Sequence, residues 1–265
     1  MKARLLHGLE RARLLRPAYR AYERLQALAA RGRRRSSEAS DGLPLPPPEL
    51  IVRVAGTADT AWFLEGGRLA AESIQAALER AGRPIDGLES VLDFGCGCGR
   101  VTRRWRGLDG VSVHGADANE DAIAWCAANL PFAGFRPNAL EPPLPYADEA
   151  FDAVYALSVL THLPEELGLA WRDELRRVLR PGGLLLASTH GASYRERMTD
   201  EERGRFDAGD LVVRWESAAG TNLCSAYHPE PYLRGRFAEG FEVVEHAPRA
   251  ALGNPHQDLT VLRRA

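Results

Sequence analysis

Apolar positions change period repeatedly between residues 90 and 189. Short apolar runs near 90–94, 111–116, about 134–138, 151–157 and 183–189 predict strands. Three-to-four spacing from about 99, over 119–129 and over 164–179 predicts helices between them. Such alternation builds a parallel sheet with right-handed crossovers. A helical pattern over Ala58–Ala81, with Trp62, Phe63, Leu69, Ile74 and Leu78 as core positions, stands ahead of the first strand.

The pattern shifts after residue 190. Residues 193–209 are strongly charged and lack an apolar face, while 211–215 and 221–227 read as two short strands around Ala218, Ala219 and Gly220. The segment 190–230 therefore reads as an inserted lid or substrate segment. A helix is expected over 229–238, with proline near its start, and the last two strands over 241–246 and 258–262.

At the other end, Leu5, Leu9, Ala12, Leu15, Tyr19, Tyr22 and Leu25 or Gln26 recur at helical spacing, interrupted at Pro17, which predicts two short amphipathic helices. Arg31 to Pro48 carries three consecutive arginines, two serines and four of its prolines at 44 and 46–48, and reads as a linker. The chain divides on this reading into a basic arm and linker, 1–48, and a catalytic-type domain, 49–265.

Composition sharpens that division. The net charge over 265 residues is −2, yet residues 1–35 hold eleven Lys or Arg against Glu10 and Glu23, so the arm is basic and the body acidic. The readings of residues 1–35 are a peripheral contact with an anionic membrane face or a protein partner, or else a helix packed on its own domain or a partly disordered tail. The face lacks Trp and Phe, which weakens the membrane reading. A chain of this size suits one α/β domain with a sizeable core. No apolar stretch is long enough to span a bilayer, no signal peptide is legible, and Cys96, Cys98, Cys126 and Cys224 form no Cys-x-x-Cys pair, so a cytoplasmic setting is expected and no metal site.

The chemistry concentrates in Val91-Leu92-Asp93-Phe94-Gly95-Cys96-Gly97-Cys98-Gly99-Arg100, a strand ending in a carboxylate before three alternate glycines. Glycines there allow backbone to approach a nucleotide-like ligand. A dinucleotide fingerprint fails in both registers, since Arg100 or Thr102 falls where its third glycine belongs. Asp93 would also repel a pyrophosphate and welcome a cation.

In this motif the chain resembles the class I S-adenosylmethionine-dependent methyltransferases, whose first motif is an acidic residue followed by Gly-x-Gly-x-Gly. Three further segments resemble that family in order: Val111–Asp117, Leu144–Tyr155 and Leu179–Leu186. The resemblance implies an α/β, Rossmann-like doubly wound sheet, mostly parallel with an antiparallel last strand, and S-adenosyl-L-methionine as cofactor. It places Asp93 near the amino-acid portion, Gly95, Cys96, Gly97 and Gly99 against the ligand, and Asp117 with Ala118 at the ribose diol. A helix N-cap is the other role open to Asp117. Asn138 and Ala139 stand where many relatives carry an acidic residue facing adenine, and Leu157 and Ser158 fall beside the adenosine and the methylthio group.

A general base is required only where the acceptor must lose a proton. His162, His190 and His228 are the catalytic candidates, with His256 in a later loop; a hydrogen-bonded structural role is the alternative for each. The fourth strand runs into Ala156-Leu157-Ser158-Val159 rather than an Asn-Pro-Pro-Tyr loop, and the body shows no basic aromatic stripe, so no nucleic-acid partner is expected. The expected reaction is methyl transfer to a small-molecule or glycan acceptor, at oxygen before nitrogen or carbon. The competing reading is a catalytically silent S-adenosylmethionine-binding regulatory or scaffold protein; a dehydrogenase is disfavoured by the glycine register.

Overall fold

The computed structural model describes residues 8–10, 14–30, 39, 41–254 and 257–265. Seven strands form one sheet in the order β3-β2-β1-β4-β5-β9-β8, with β1 Ser90–Phe94, β2 Ser112–Asp117, β3 Gly134–Pro137, β4 Phe151–Ala156, β5 Leu179–Thr189, β8 Phe241–Ala247 and β9 Asp258–Arg264. Pairing from β3 through β5 is parallel, and β9 runs antiparallel to both of its neighbours. The doubly wound sheet with its antiparallel last strand is the architecture that the family resemblance implied.

Alternation along the strands sorts the core into two layers, because successive side chains of a strand point to opposite faces. Leu92, Val154 and Leu185 pack with Trp171, Leu175 and Val178 of helix Glu165–Val178. On the other face Val91, Ala153, Leu184 and Val261 pack with Ala70, Ile74, Ala77 and Leu78 of helix Thr60–Arg80. That helix is capped by Asp59, whose carboxylate accepts from the backbone N–H groups of Ala61 and Trp62. The strand order reverses between β1 and β4, so their carboxyl ends open the crevice where ligands bind in such sheets.

Several expectations are corrected. The helix expected from about residue 99 is only a 3-10 turn, Thr102–Trp105. Gly99 and Gly107, both at positive φ, bracket a stretch too short to propagate an α-helix, and Thr102, Arg103 and Trp105 are all buried. The linker reading also fails for residues 41–48: Asp41 pairs with the buried Arg103, Leu43 is buried, and Pro48 begins helix Pro48–Ala55. Pro17 does not break the arm. It lies in the first turn of helix Leu15–Ala30, where a missing N–H costs little, while residues 8–10 form a separate helical piece. The residues expected as helix 229–238 form one turn, Glu230–Tyr232, continued by a π-helix, Leu233–Phe237.

The segment 190–230 holds helix Asp200–Asp207 and the antiparallel pair β6 Val212–Arg214 and β7 Ser225–Tyr227. Its strands are shorter than expected. The charged helix is held at its start by a Thr199–Glu202 capping box, and Glu202 also pairs with Arg214 of β6.

Candidate active site

A cavity of about 550 Å³ opens at the carboxyl ends of β1, β2 and β4, within the size range of small-molecule sites. It is bounded by the glycine loop, the turn after β2, the segment after β4 and, as a roof, the arm helix Leu15–Ala30.

Asp93 is the penultimate residue of β1 and lines the cavity. Its Oδ2 accepts a 2.6 Å hydrogen bond from Thr102 Oγ1, and the Tyr155 hydroxyl also bonds to it. Burial pushes the Asp93 carboxyl up to about 7; Thr102 and Tyr155 pull the other way, and Asp117 adds a smaller upward push. The site thus holds a carboxyl group poised near neutrality that a cation would convert to carboxylate.

Asp117 ends β2, and its two oxygens are clamped from the backbone. Oδ2 accepts from Gly97 N–H and Oδ1 from Asn119 N–H, each at 2.8 Å. Burial raises its proton affinity while these two donors oppose the rise. The helix Glu120–Asn129 has Asn119 at its N-cap position without a side-chain cap, so Asp117 is not that residue; it braces the turn before it. Each carboxylate oxygen retains a second lone pair for a ligand.

Gly95 and Gly97 line the cavity, and Gly99 does not. Gly95, Gly97 and Gly99 have φ of +77°, +53° and +74°, and a Cβ on them would lie 2.3 Å from Val159 Cγ2, 2.4 Å from Val54 Cγ2 and 2.5 Å from Leu130 Cδ1. The missing side chains also make room for neighbouring protein atoms. The loop can then bend tightly, bringing Gly97 N–H to Asp117.

Asn138 follows β3, where its Nδ2 donates to Ala139 O at 2.6 Å. Its Oδ1 is buried with no partner, although it belongs to a residue lining the cavity. Buried acceptors are ordinarily satisfied, so this atom marks a place for a donor. Cys96, Ala118, Ala139, Leu157 and Ser158 also line the cavity. Ser158 has φ +59° and is held there by Ser188 Oγ, 2.7 Å from its N–H, and by Gln257 Nε2, 2.9 Å from its Oγ. Backbone strain of this kind persists only where surroundings over-determine it. All four cysteines are buried free thiols.

The catalytic candidates separate. His162 lines the cavity, and its Nδ1 lies 2.7 Å from Cys224 O. A carbonyl only accepts, so Nδ1 carries the hydrogen and Nε2 the lone pair. Burial lowers the His162 pKa and the Cys224 carbonyl opposes this. His190 and His228 do not line the cavity. His190 stacks with Tyr194 at 4.1 Å between ring centres, and burial, then His162 and His228, bring it down to about 3; burial brings His228 down to about 4. His256 lies outside the described residues.

Sequence reasoning missed the roof. Arg16, Arg20, Glu23 and Arg24 of the arm helix, and Arg53, line the cavity. Their signal was the four-residue repeat of Arg16, Arg20 and Arg24, which sets three guanidinium groups on one helix face.

The family described as "Methyltransferase domain" matches residues 92–187, which run from β1 to β5 and hold Asp93, Asp117, Asn138 and Ser158. By this match residues 92–187 form a methyltransferase domain. Among similar proteins, a sterol 24-C-methyltransferase of Gibberella zeae is 30% identical over 169 residues, covering 61% of this chain and 41% of that protein. A malonyl-[acyl-carrier protein] O-methyltransferase of Erwinia pyrifoliae is 39% identical over 112 residues, covering 42% of this chain and 40% of that protein. The chain thus spans about two fifths of the length of these curated relatives. In fold, the methyltransferase domain is similar to the Burkholderia thailandensis 1,6-didemethyltoxoflavin-N1-methyltransferase, with a TM-score of 0.55 and 18% identity over 84% of this chain and 92% of that one.

The residues fit the cofactor of this family. The unpartnered Asn138 Oδ1 suits an adenine amino group, the braced Asp117 a vicinal diol, and Asp93 the cationic end.

Proposed function

We propose that this protein transfers a methyl group from S-adenosylmethionine to a small-molecule or glycan acceptor, at oxygen. The observation that carries the reading is the convergence of Asp93, Asp117 and the unpartnered Asn138 Oδ1 on one cavity at the strand switch point. The cofactor supplies an already activated methyl, so the protein's part is chiefly positioning. Asp117 and Asn138 fix the nucleoside, and His162, neutral at physiological pH with Nε2 as acceptor, takes the proton of an acceptor hydroxyl. Segment 190–230 and the arm exclude water from above. No membrane role is assigned to the arm, whose Leu15 and Glu23 are buried against the body, although Leu14, Tyr22, Leu25 and Leu28 are exposed. Among the described residues no helix is long and apolar enough to cross a membrane.

Calorimetry with S-adenosylhomocysteine tests the reading first. Binding is expected for the wild type, with a loss of roughly ten- to a hundredfold in Asp117→Ala, the scale of losing hydrogen bonds to a charged group. No heat in the wild type would remove the proposal. A catalytically silent protein would instead bind the nucleoside yet release no S-adenosylhomocysteine from S-adenosylmethionine with any acceptor.

A further inference from the structure

The cavity has two electrically distinct parts. Asp93 and Asp117 lie at the strand ends, whereas Arg16, Arg20 and Arg24 project from one face of helix Leu15–Ala30, with Arg53 of helix Pro48–Ala55 beside them. We propose that these arginines bind an anionic group of the methyl acceptor, a carboxylate or a phosphate, held under the roof while the acceptor's nucleophile reaches toward the strand ends. The inference rests on the methyltransferase reading and names the substrate class of that site.

Three observations support it. Arg16, Arg20 and Arg24 repeat every four residues, which aligns them along the cavity rather than around the helix. Arg16 Nε is buried and has no hydrogen-bond partner, although a buried guanidinium N–H ordinarily finds an acceptor. The arginines also crowd one another: besides its burial, Arg20 is disfavoured as a cation by Arg16, Arg53 and Arg24, with Glu23 pulling the other way. Glu23 is itself engaged with Arg53, 3.8 Å away. Like charges gathered at the mouth of a cavity cost energy that an oxyanion relieves, and guanidinium groups match carboxylate and phosphate with paired donors.

The helix is also firmly placed for this task. Leu15 is buried with Ala218 and Cys224 of segment 190–230, and the Tyr19 hydroxyl bonds to the Asn222 side chain. Asn222 Nδ2 donates in turn to Arg53 O at 2.9 Å. The arginine face is thereby tied to both the insertion and helix Pro48–Ala55.

The test uses the full chain loaded with S-adenosylhomocysteine and three probes of similar size: benzoate, phenyl phosphate and benzyl alcohol. Calorimetry should give at least tenfold tighter binding of an anionic probe than of benzyl alcohol, and the tighter anion tells carboxylate from phosphate. In Arg16→Gln/Arg20→Gln that preference should fall at least tenfold, while S-adenosylhomocysteine affinity stays within twofold and the circular dichroism is unchanged. Arg195→Gln/Arg234→Gln, which removes the same charge from exposed pairs elsewhere, should keep the preference. Equal binding of all probes, an unaltered preference in the roof variant, or an equal loss in the control variant would overturn the proposal. Parallel weakening of S-adenosylhomocysteine would assign the arginines to the cofactor instead. If the wild type does not bind S-adenosylhomocysteine, the methyltransferase reading falls and this assignment with it; if it binds and the probes fail, only the assignment falls.

Discussion

Asp93 is the residue whose ionisation is most exposed to a ligand's charge. With its pKa near 7 the free protein holds it about half protonated at neutral pH. A cationic ligand favours the carboxylate, so binding should release up to about half a proton at pH 7. Affinity should accordingly rise as pH increases through about 7. Calorimetry of S-adenosylmethionine in buffers of different ionisation enthalpy measures that release, and Asp93→Asn should abolish it. His190 gives the opposite kind of signature, in stability rather than binding. Its folded pKa of about 3 lies below the ordinary histidine value of 6.5, so between those values the unfolded chain binds a proton that the folded one does not. Stability contributed by the neutral ring is full above 6.5 and is lost as pH falls toward 3, at up to about 1.4 kcal/mol per pH unit. Urea titrations of His190→Gln from pH 4 to 6.5 should show a shallower decline than the wild type. Asp93 and Asp117 were legible in the sequence because a carboxylate at a strand end is set by local register. The separation of the three histidines was not, because which histidine faces a cavity depends on segments far apart in the chain.

At the scale of elements, the contact between helix Thr60–Arg80 and the glycine loop is a tight joint near the site. A Cβ at Gly67 would lie 2.2 Å from the Arg100 carbonyl oxygen, and one at Gly253 would lie 2.1 Å from Gly66 O. Arg100 completes the joint by donating to Gly253 O at 2.9 Å and Asn254 Oδ1 at 2.6 Å. Alanine is the better helix former by about 1 kcal/mol, but backbone cannot retreat as a flexible side chain would. Gly67→Ala should therefore destabilise by about 1–3 kcal/mol net and weaken S-adenosylhomocysteine binding, read by thermal melting with and without that ligand. The strands near this joint were readable from short apolar runs. The 3-10 turn after Gly99 was not, since apolar spacing alone does not distinguish a helix from a tightly buried turn.

Across the whole molecule, the chain before the sheet is built into the site rather than leading up to it. The Arg103 side chain is 0% exposed and pairs with Asp41 at 2.6 Å, so the stretch following the arm is anchored under the domain. Removing one partner of a buried pair leaves an uncompensated charge. Asp41→Ala should cost about 3 kcal/mol, the low end for such a change because Arg103 also donates to the carbonyls of Leu43 and Pro44. Chemical denaturation measures it, and a loss below about 0.5 kcal/mol would show that Arg103 is satisfied without Asp41.

The sequence by itself determined the succession of strands of a parallel sheet and the two carboxylates at strand ends, whereas the antiparallel last strand was implied by the family resemblance. Strand periodicity and the residue that ends a strand are properties of neighbouring positions, and a glycine loop directly follows β1. Only the tertiary structure decided that the loop glycines make room for Val54, Val159 and Leu130, that His162 rather than His190 or His228 reaches the cavity, and that Arg16, Arg20 and Arg24 roof it. Each of these depends on contacts between segments tens to more than a hundred residues apart, whose packing no local pattern of apolar and polar positions encodes.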